Sequence, residues 1–245
     1  MNRRRYSLIC FLLLAHLYVS ACSSPPEATS QPVSGPSQTI FFIELKFPAG
    51  AYLQPQQRRG LVQRVISRIK ALPEVESIAA ACTPQRQPQT VFAETGAGKT
   101  ELNYGAVTPD YFRVLNLALI EGRLFEEDDG PNKPMMVILS KSAARKLIPD
   151  SMDPIGQRIK FSEREQRAPW LEVIGVVMDE QESSARPRIE IYRPYDQDPD
   201  PAVELIVLTK PGSQSMAERL RQEINAVDAH VTVSKVQEQS LTRSK

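Results

Sequence analysis

An α+β fold in two lobes is predicted by three observations on this chain of 245 residues. A strand–helix–strand pattern opens the folded region. A second one closes it. The segment between them has short strands, two short helices and most of the aromatic residues, and so reads as an insertion. Two such units at the chain ends suggest one ferredoxin-like layer.

The elements follow in order. Arg3, Arg4 and Arg5 precede an apolar run from Leu8 to Leu14, which is too short for a membrane-spanning helix. Leu17-Tyr18-Val19-Ser20-Ala21-Cys22 then resembles the lipobox of a bacterial lipoprotein. That resemblance implies a signal peptide over 1–21 and acylation of Cys22. Several acyl chains give stable anchoring where one does not. Ser23 occupies the place where aspartate retains Gram-negative lipoproteins at the inner membrane, so outer-membrane sorting is favoured. Residues 22–37 form a Pro/Ser-rich linker, a coil on the order of 20 Å across.

Thr39 to Phe47 alternates as a strand ended by Pro48. Residues 55–72 read as a helix with Leu61, Val65, Ile69 and Leu72 on one stripe. Val75 to Cys82 is the second strand. In the middle, Tyr104 to Thr108 is a strand and Pro109 to Leu115 a short helix. Met135 to Leu139 is a strand, and Ser140 caps a helix over 141–148. Strands follow at 155–161, at Leu171 to Met178 (the buried centre of this lobe) and at 190–195. The closing unit has a strand over 202–209, a helix from Met216 to Val227 and a strand starting at Val231.

Composition removes several function classes. Without residues 1–21, 27 basic residues face 29 acidic ones, a net charge of −2, so nothing points to nucleic acid. Of three cysteines, Cys10 leaves with the signal and Cys22 takes lipid. Cys82 remains alone and is expected to pack as a small buried residue. His230 is the single mature histidine, in an exposed turn, which leaves no multi-histidine metal site and no plausible catalytic triad. No catalytic residues, metal ligands or cofactor are expected.

Three motifs suggest a site that their surroundings do not support. Ala93 to Thr100 fits a relaxed phosphate-loop pattern, but the following residues alternate like a strand where that loop needs a helix. Residues 94–100 are therefore expected to be a hairpin tip. Glu126-Glu127-Asp128-Asp129 is expected to be a solvated loop, because consecutive carboxylates do not converge on calcium. Trp170, Tyr111, Phe112 and Phe125 are expected in the core of the inserted lobe.

Thr108-Pro109-Asp110-Tyr111-Phe112-Arg113-Val114-Leu115 and Leu119-Ile120-Glu121-Gly122-Arg123-Leu124-Phe125 resemble the periplasmic core domain of MacB-type ABC permeases. The order is kept by Val137-Ile138-Leu139-Ser140, Asp153-Pro154-Ile155-Gly156-Gln157-Arg158-Ile159, Leu171 to Asp179, Ile191 to Tyr195, and the helix from Leu220 to Asp228. The resemblance covers roughly 38–240. It implies a porter-like lobe over 38–107 and 200–245 and a sabre-like lobe over 108–199. It also implies a non-enzymatic domain that meets protein partners, among them adaptors or a related permease, in envelope transport or lipoprotein handling. No run of about 20 apolar residues follows Cys22, so a stand-alone lipid-anchored module is expected rather than a permease. The competing reading is a periplasmic carrier of an apolar ligand bound between the lobes. The individual partner-binding residues are not legible at this stage.

Overall fold

The structure, a computed structural model, describes residues 38–82, 89–93, 99–161, 169–180, 188–213 and 216–241. They belong to one compact unit. The chain runs through β1 (Gln38–Lys46), α1 (Pro55–Lys70), β2 (Val75–Cys82), β3 (Gln89–Ala93), β4 (Lys99–Leu102) and β5 (Tyr104–Val107). It continues through α2 (Tyr111–Val114), β6 (Leu119–Gly122), β7 (Met136–Ser140), α3 (Lys141–Leu147), β8 (Arg158–Phe161) and β9 (Leu171–Val177). It closes with β10 (Ile191–Pro194), β11 (Val203–Thr209), α4 (Met216–Val227) and β12 (Thr232–Leu241).

The chain ends build the layer expected of them. β12, β1, β11 and β2 lie side by side in that order, all antiparallel to their neighbours. This is the ferredoxin-like order, with the insertion between its second and third strands. Phe41, Ile43, Ile78, Ala80, Leu205 and Val207 point to one face. There they meet Leu61, Val65 and Ile69 of α1 and Leu220 and Ile224 of α4. The helical period of these residues supplies the matching apolar stripe. Pro55 starts α1 with its φ preset and no amide to satisfy.

The sheet does not stop at β2. β5 joins β2 through Ala81 opposite Val107 and Cys82 opposite Ala106. β10, β7, β9, β8, β3 and β4 follow in that order. β8 and β6 divide one edge of β9: β8 takes Leu171 and Glu172, and β6 takes Gly175 to Val177. The β3–β4 hairpin attaches to β8, at the opposite end of the sheet from β12.

The second face of the chain-end strands is covered by the inserted segment. Ile40, Ala79, Ala81, Ile206 and Leu208 share a cluster with Tyr111, Phe112, Phe125, Ile138 and Tyr192. The small side chains of β2 leave room for the aromatic rings of α2. Thr108 locks that junction, donating its amide to the Ala80 carbonyl at 3.0 Å and accepting from the Ala80 amide at 2.9 Å. A third cluster lies on the other side of β7, where Val137 and Leu139 meet Ala143, Leu147, Leu171, Val173 and Ile191.

Several elements depart from their expected form, each for a local reason. α2 is a single turn because Asn116 takes a left-handed φ of 54°. The Leu117 amide reaches back to Phe112 at 2.7 Å and the Asn116 amide to Arg113 at 3.2 Å, a Schellman stop. β8 starts at Arg158 rather than 155. The Ile155 amide bonds to Asp153 at 2.7 Å and Gly156 has a φ of +81°, so those residues are a turn. Ser140 does cap α3, accepting from the Ala143 amide at 3.2 Å. Trp170 is half-buried and outside the clusters, with Lys160 4.8 Å over its ring. Tyr111, Phe112 and Phe125 are buried as expected. Ile174 is half-buried, and Leu171, Val173, Val176 and Val177 are the buried residues of β9.

Candidate interaction groove

Cys22 and the linker 23–37 lie outside the described residues, as do 94–98 of the phosphate-loop-like motif. The ends of that motif are informative. β3 and β4 pair as a hairpin, with Phe92 opposite Lys99. A strand therefore starts at Lys99, where a phosphate loop requires a helix N-terminus.

The other singled-out residues are also placed. Cys82 is fully buried on β2 and its thiol faces the Asp200 carbonyl at 3.4 Å. Burial pushes its pKa well up, and the nearby Asp200 carboxylate adds to this. His230 has an 84% exposed side chain and touches Asp228 at 3.2 Å. Asp228 also accepts from the Tyr52 hydroxyl and the His230 amide, which hold its carboxyl below the ordinary carboxylate range. Those contacts tie a strained turn, with Tyr52 at a φ of 55°, to the α4–β12 turn. They involve no nucleophile. Among the described residues, no group of three or more His, Cys, Asp or Glu side chains could hold a metal ion.

The acidic run departs from its expected form. It is not a wholly solvated loop, because Asp129 is only 6% exposed. Its two carboxylate oxygens accept from the Arg123 guanidinium at 2.6 and 3.0 Å, and one also accepts from the Glu126 amide at 2.9 Å. The Arg123 bond, the largest influence, and the Glu126 amide hold the Asp129 carboxyl below its usual range. This clamp folds the run back on itself and leaves Glu126, Glu127 and Asp128 exposed.

The clamp shapes one wall of a groove of about 610 Å³. The opposite wall is α1, through Val62, Ile66 and Lys70. These three stand four residues apart, a row about 12 Å long. Ile78, Phe125, Pro194 and Tyr195 complete an apolar floor. The rim is acidic, with Asp110, Glu126, Glu127 and Asp196 on it. Lys70 is the lining cation, and it already faces Asp110 at 3.4 Å. Burial raises the Asp196 carboxyl pKa against the opposing Arg59 charge. Tyr195 is 1% exposed, and its hydroxyl has no hydrogen-bond partner among the described residues.

Nothing in this groove resembles a catalytic set. An open channel with an apolar floor and charged rim can hold a side chain and select its charge. Sequence reasoning missed it because its lining comes from five separate segments. One signal was available: Ile66 lies off the Leu61–Val65–Ile69 stripe and between the polar residues Gln63, Ser67 and Lys70.

Similarity to known proteins fits this architecture. The family described as the MacB-like periplasmic core domain matches residues 28–227. The macrolide export ATP-binding/permease protein MacB of Agrobacterium fabrum is 26% identical over 187 residues, 75% of this chain and 26% of that protein. MacB of Neisseria meningitidis is 32% identical over 145 residues, 56% of this chain and 21% of that protein. The chain thus spans about a quarter of the length of these relatives. The crystal structure of the periplasmic region of MacB from Actinobacillus actinomycetemcomitans superposes with a TM-score of 0.56 at 16% identity, over 86% of this chain and 92% of that one. The extracellular domain of the ABC-type transporter YknZ gives 0.51 at 19% identity, over 82% and 99%. The family match, supported by this shared fold, places the chain in the MacB-like periplasmic core domain family.

Proposed function

We propose that this chain is a lipid-anchored, non-enzymatic module on the periplasmic face of a bacterial membrane, the outer membrane being favoured. Cys22 bears the lipid, and the folded domain binds a protein partner in envelope transport or lipoprotein handling. The relatives are components of ABC transporters, which makes a related permease or an adaptor the natural partner class.

One observation supports the anchored arrangement above others. Gln38 and Leu241 are register partners on β1 and β12, so the described domain begins and finishes at one end of its sheet edge. A tether from Cys22 would enter the domain at that end. The nine residues of β1 set the opposite end about 30 Å from that entry point. Among the described residues no helix is long and apolar enough to cross a membrane. Within this proposal the porter-like lobe is built from the chain ends. The inserted lobe includes the β3–β4 hairpin, because that hairpin pairs with β8. The acidic rim of the groove favours a protein partner over an apolar ligand, whose carriage needs an apolar enclosure.

The test is site-specific photocrosslinking in intact cells, with the probe in turn at Leu53, Ser67 and Leu119, all exposed. A discrete crosslink to an envelope protein from at least one position, lost in Cys22→Ser, is the expected result. No protein crosslink from any position would overturn the partner-binding reading.

A further inference from the structure

We propose that the groove between α1 and the Arg123–Asp129 clamp docks a basic segment of a protein partner, with an apolar side chain on the floor and lysine or arginine side chains on the rim. This deepens the partner-binding reading and rests on it.

The charge arrangement selects the occupant. Asp129 is consumed by Arg123, and Asp110 by Arg113 at 2.9 Å and Lys70 at 3.4 Å. Glu126 and Glu127 line the groove with no ion pair to any described residue, and Asp196 lines it near the Arg59 charge, which bonds its carbonyl and forms no salt bridge with its carboxylate. Three carboxylates around an apolar trough repel an acidic or membrane-phosphate surface and attract a cationic one. Of the Val62–Ile66–Lys70 row, Val62 is fully buried, so Ile66 and Lys70 are the members a docking segment can touch, one helical turn or about 6 Å apart. Ile66 is half-buried and Gln63 and Ser67 are exposed, so α1 presents a usable edge without rearrangement. Apolar anchors at helical spacing, flanked by charge, are how an amphipathic helix seats in a groove.

The probe is a fluorescein-labelled 14-residue amphipathic leucine/lysine peptide, titrated into the folded domain and followed by anisotropy. A leucine/glutamate peptide of the same pattern is the control. Two variants are compared. The groove triple is Glu126→Gln, Glu127→Gln and Asp196→Asn. The remote triple, Asp150→Asn, Glu172→Gln and Glu218→Gln, changes the net charge equally at exposed positions outside the groove. We expect the lysine peptide to bind the wild type and to weaken as salt rises. The groove triple should weaken it on the order of tenfold, from three surface charge contacts. The remote triple should leave it within about twofold, and the glutamate peptide should not bind. Absence of lysine-peptide binding, or equal weakening by both triples, overturns the proposal. So does sedimentation showing a dimer that the groove triple dissociates, since a second copy would then be the occupant. Crosslinks from Leu53 or Leu119 with none from Ser67 would reject the groove and keep the partner-binding module.

Discussion

Gly122 and Gly175 face each other across the β6–β9 ladder, and neither position has space for a methyl group. A Cβ on Gly122 would lie 2.2 Å from the Ile174 carbonyl oxygen, and one on Gly175 would lie 2.3 Å from the Arg123 carbonyl oxygen. Gly122 also has a φ of +75°. This close crossing delivers Arg123 to its clamp with Asp129. Gly122→Ala should cost at least about 2 kcal/mol, from left-handed strain plus backbone contact. Chemical denaturation of the two proteins measures it, and a loss below about 0.5 kcal/mol would show that β6 can move away.

Asp129→Asn removes the carboxylate that receives Arg123. The pair is partly open, with the Arg123 side chain 42% exposed, so the expected loss is about 1–2 kcal/mol rather than that of a fully buried pair. The sign of the pH dependence is fixed. The folded pKa of Asp129 lies below its unfolded one, so the stabilisation is complete above the ordinary carboxylate range. It disappears as pH falls through the lowered value. The stability gap between wild type and variant should therefore be open at pH 7 and shrink under strong acid. A gap that widens in acid would contradict this assignment.

Val173→Asp places a carboxylate in a fully buried position of β9. That costs several kcal/mol against a typical total of about 5–15 kcal/mol. Ile174→Asp, at a half-buried position, should cost clearly less. The aromatic cluster joins Ile40 and Ile206 to Tyr111, Ile138 and Tyr192, so damage in the inserted segment should reach the chain-end strands. Peptide-resolved hydrogen exchange of Val173→Asp should show lost protection in β1 and β11 as well as β9. Retained protection in β1 and β11 would mean that the lobes unfold independently.

Cys82 should be chemically silent. Its thiol is buried and its pKa well raised, so little thiolate exists at neutral pH. Alkylation of the folded protein should be slower than that of the denatured protein by orders of magnitude. Comparable rates would place Cys82 at the surface.

The chain-end elements were legible because both periods are clean there: Leu61, Val65 and Ile69 repeat every four residues, and Ile78 to Cys82 is an uninterrupted small and apolar run. β6 was not, because all four of its residues are exposed and no alternation marks it. The Asp129 clamp was missed because a run of acids reads as solvated until a partner is supplied. Arg123 lies six residues earlier, a distance that only a folded loop closes. The single continuous sheet was hidden for a related reason. β5 reaches β2 through two residue pairs and β10 through a parallel ladder, and strand pairing of that kind leaves no periodic trace in the sequence. The groove needed the same long-range information, since Ile66, Asp110, Glu126 and Asp196 meet only in three dimensions.

Attachment to a membrane through Cys22 is the step on which the proposed function rests. Metabolic labelling with an alkyne-bearing fatty acid, followed by fractionation, tests it most directly. Wild-type protein should take up the label and sediment with membranes, whereas Cys22→Ser should be unlabelled and leave the membrane fraction while its folded domain keeps the wild-type melting temperature. An unlabelled wild type, or label retained in the Cys22→Ser variant, would contradict the account.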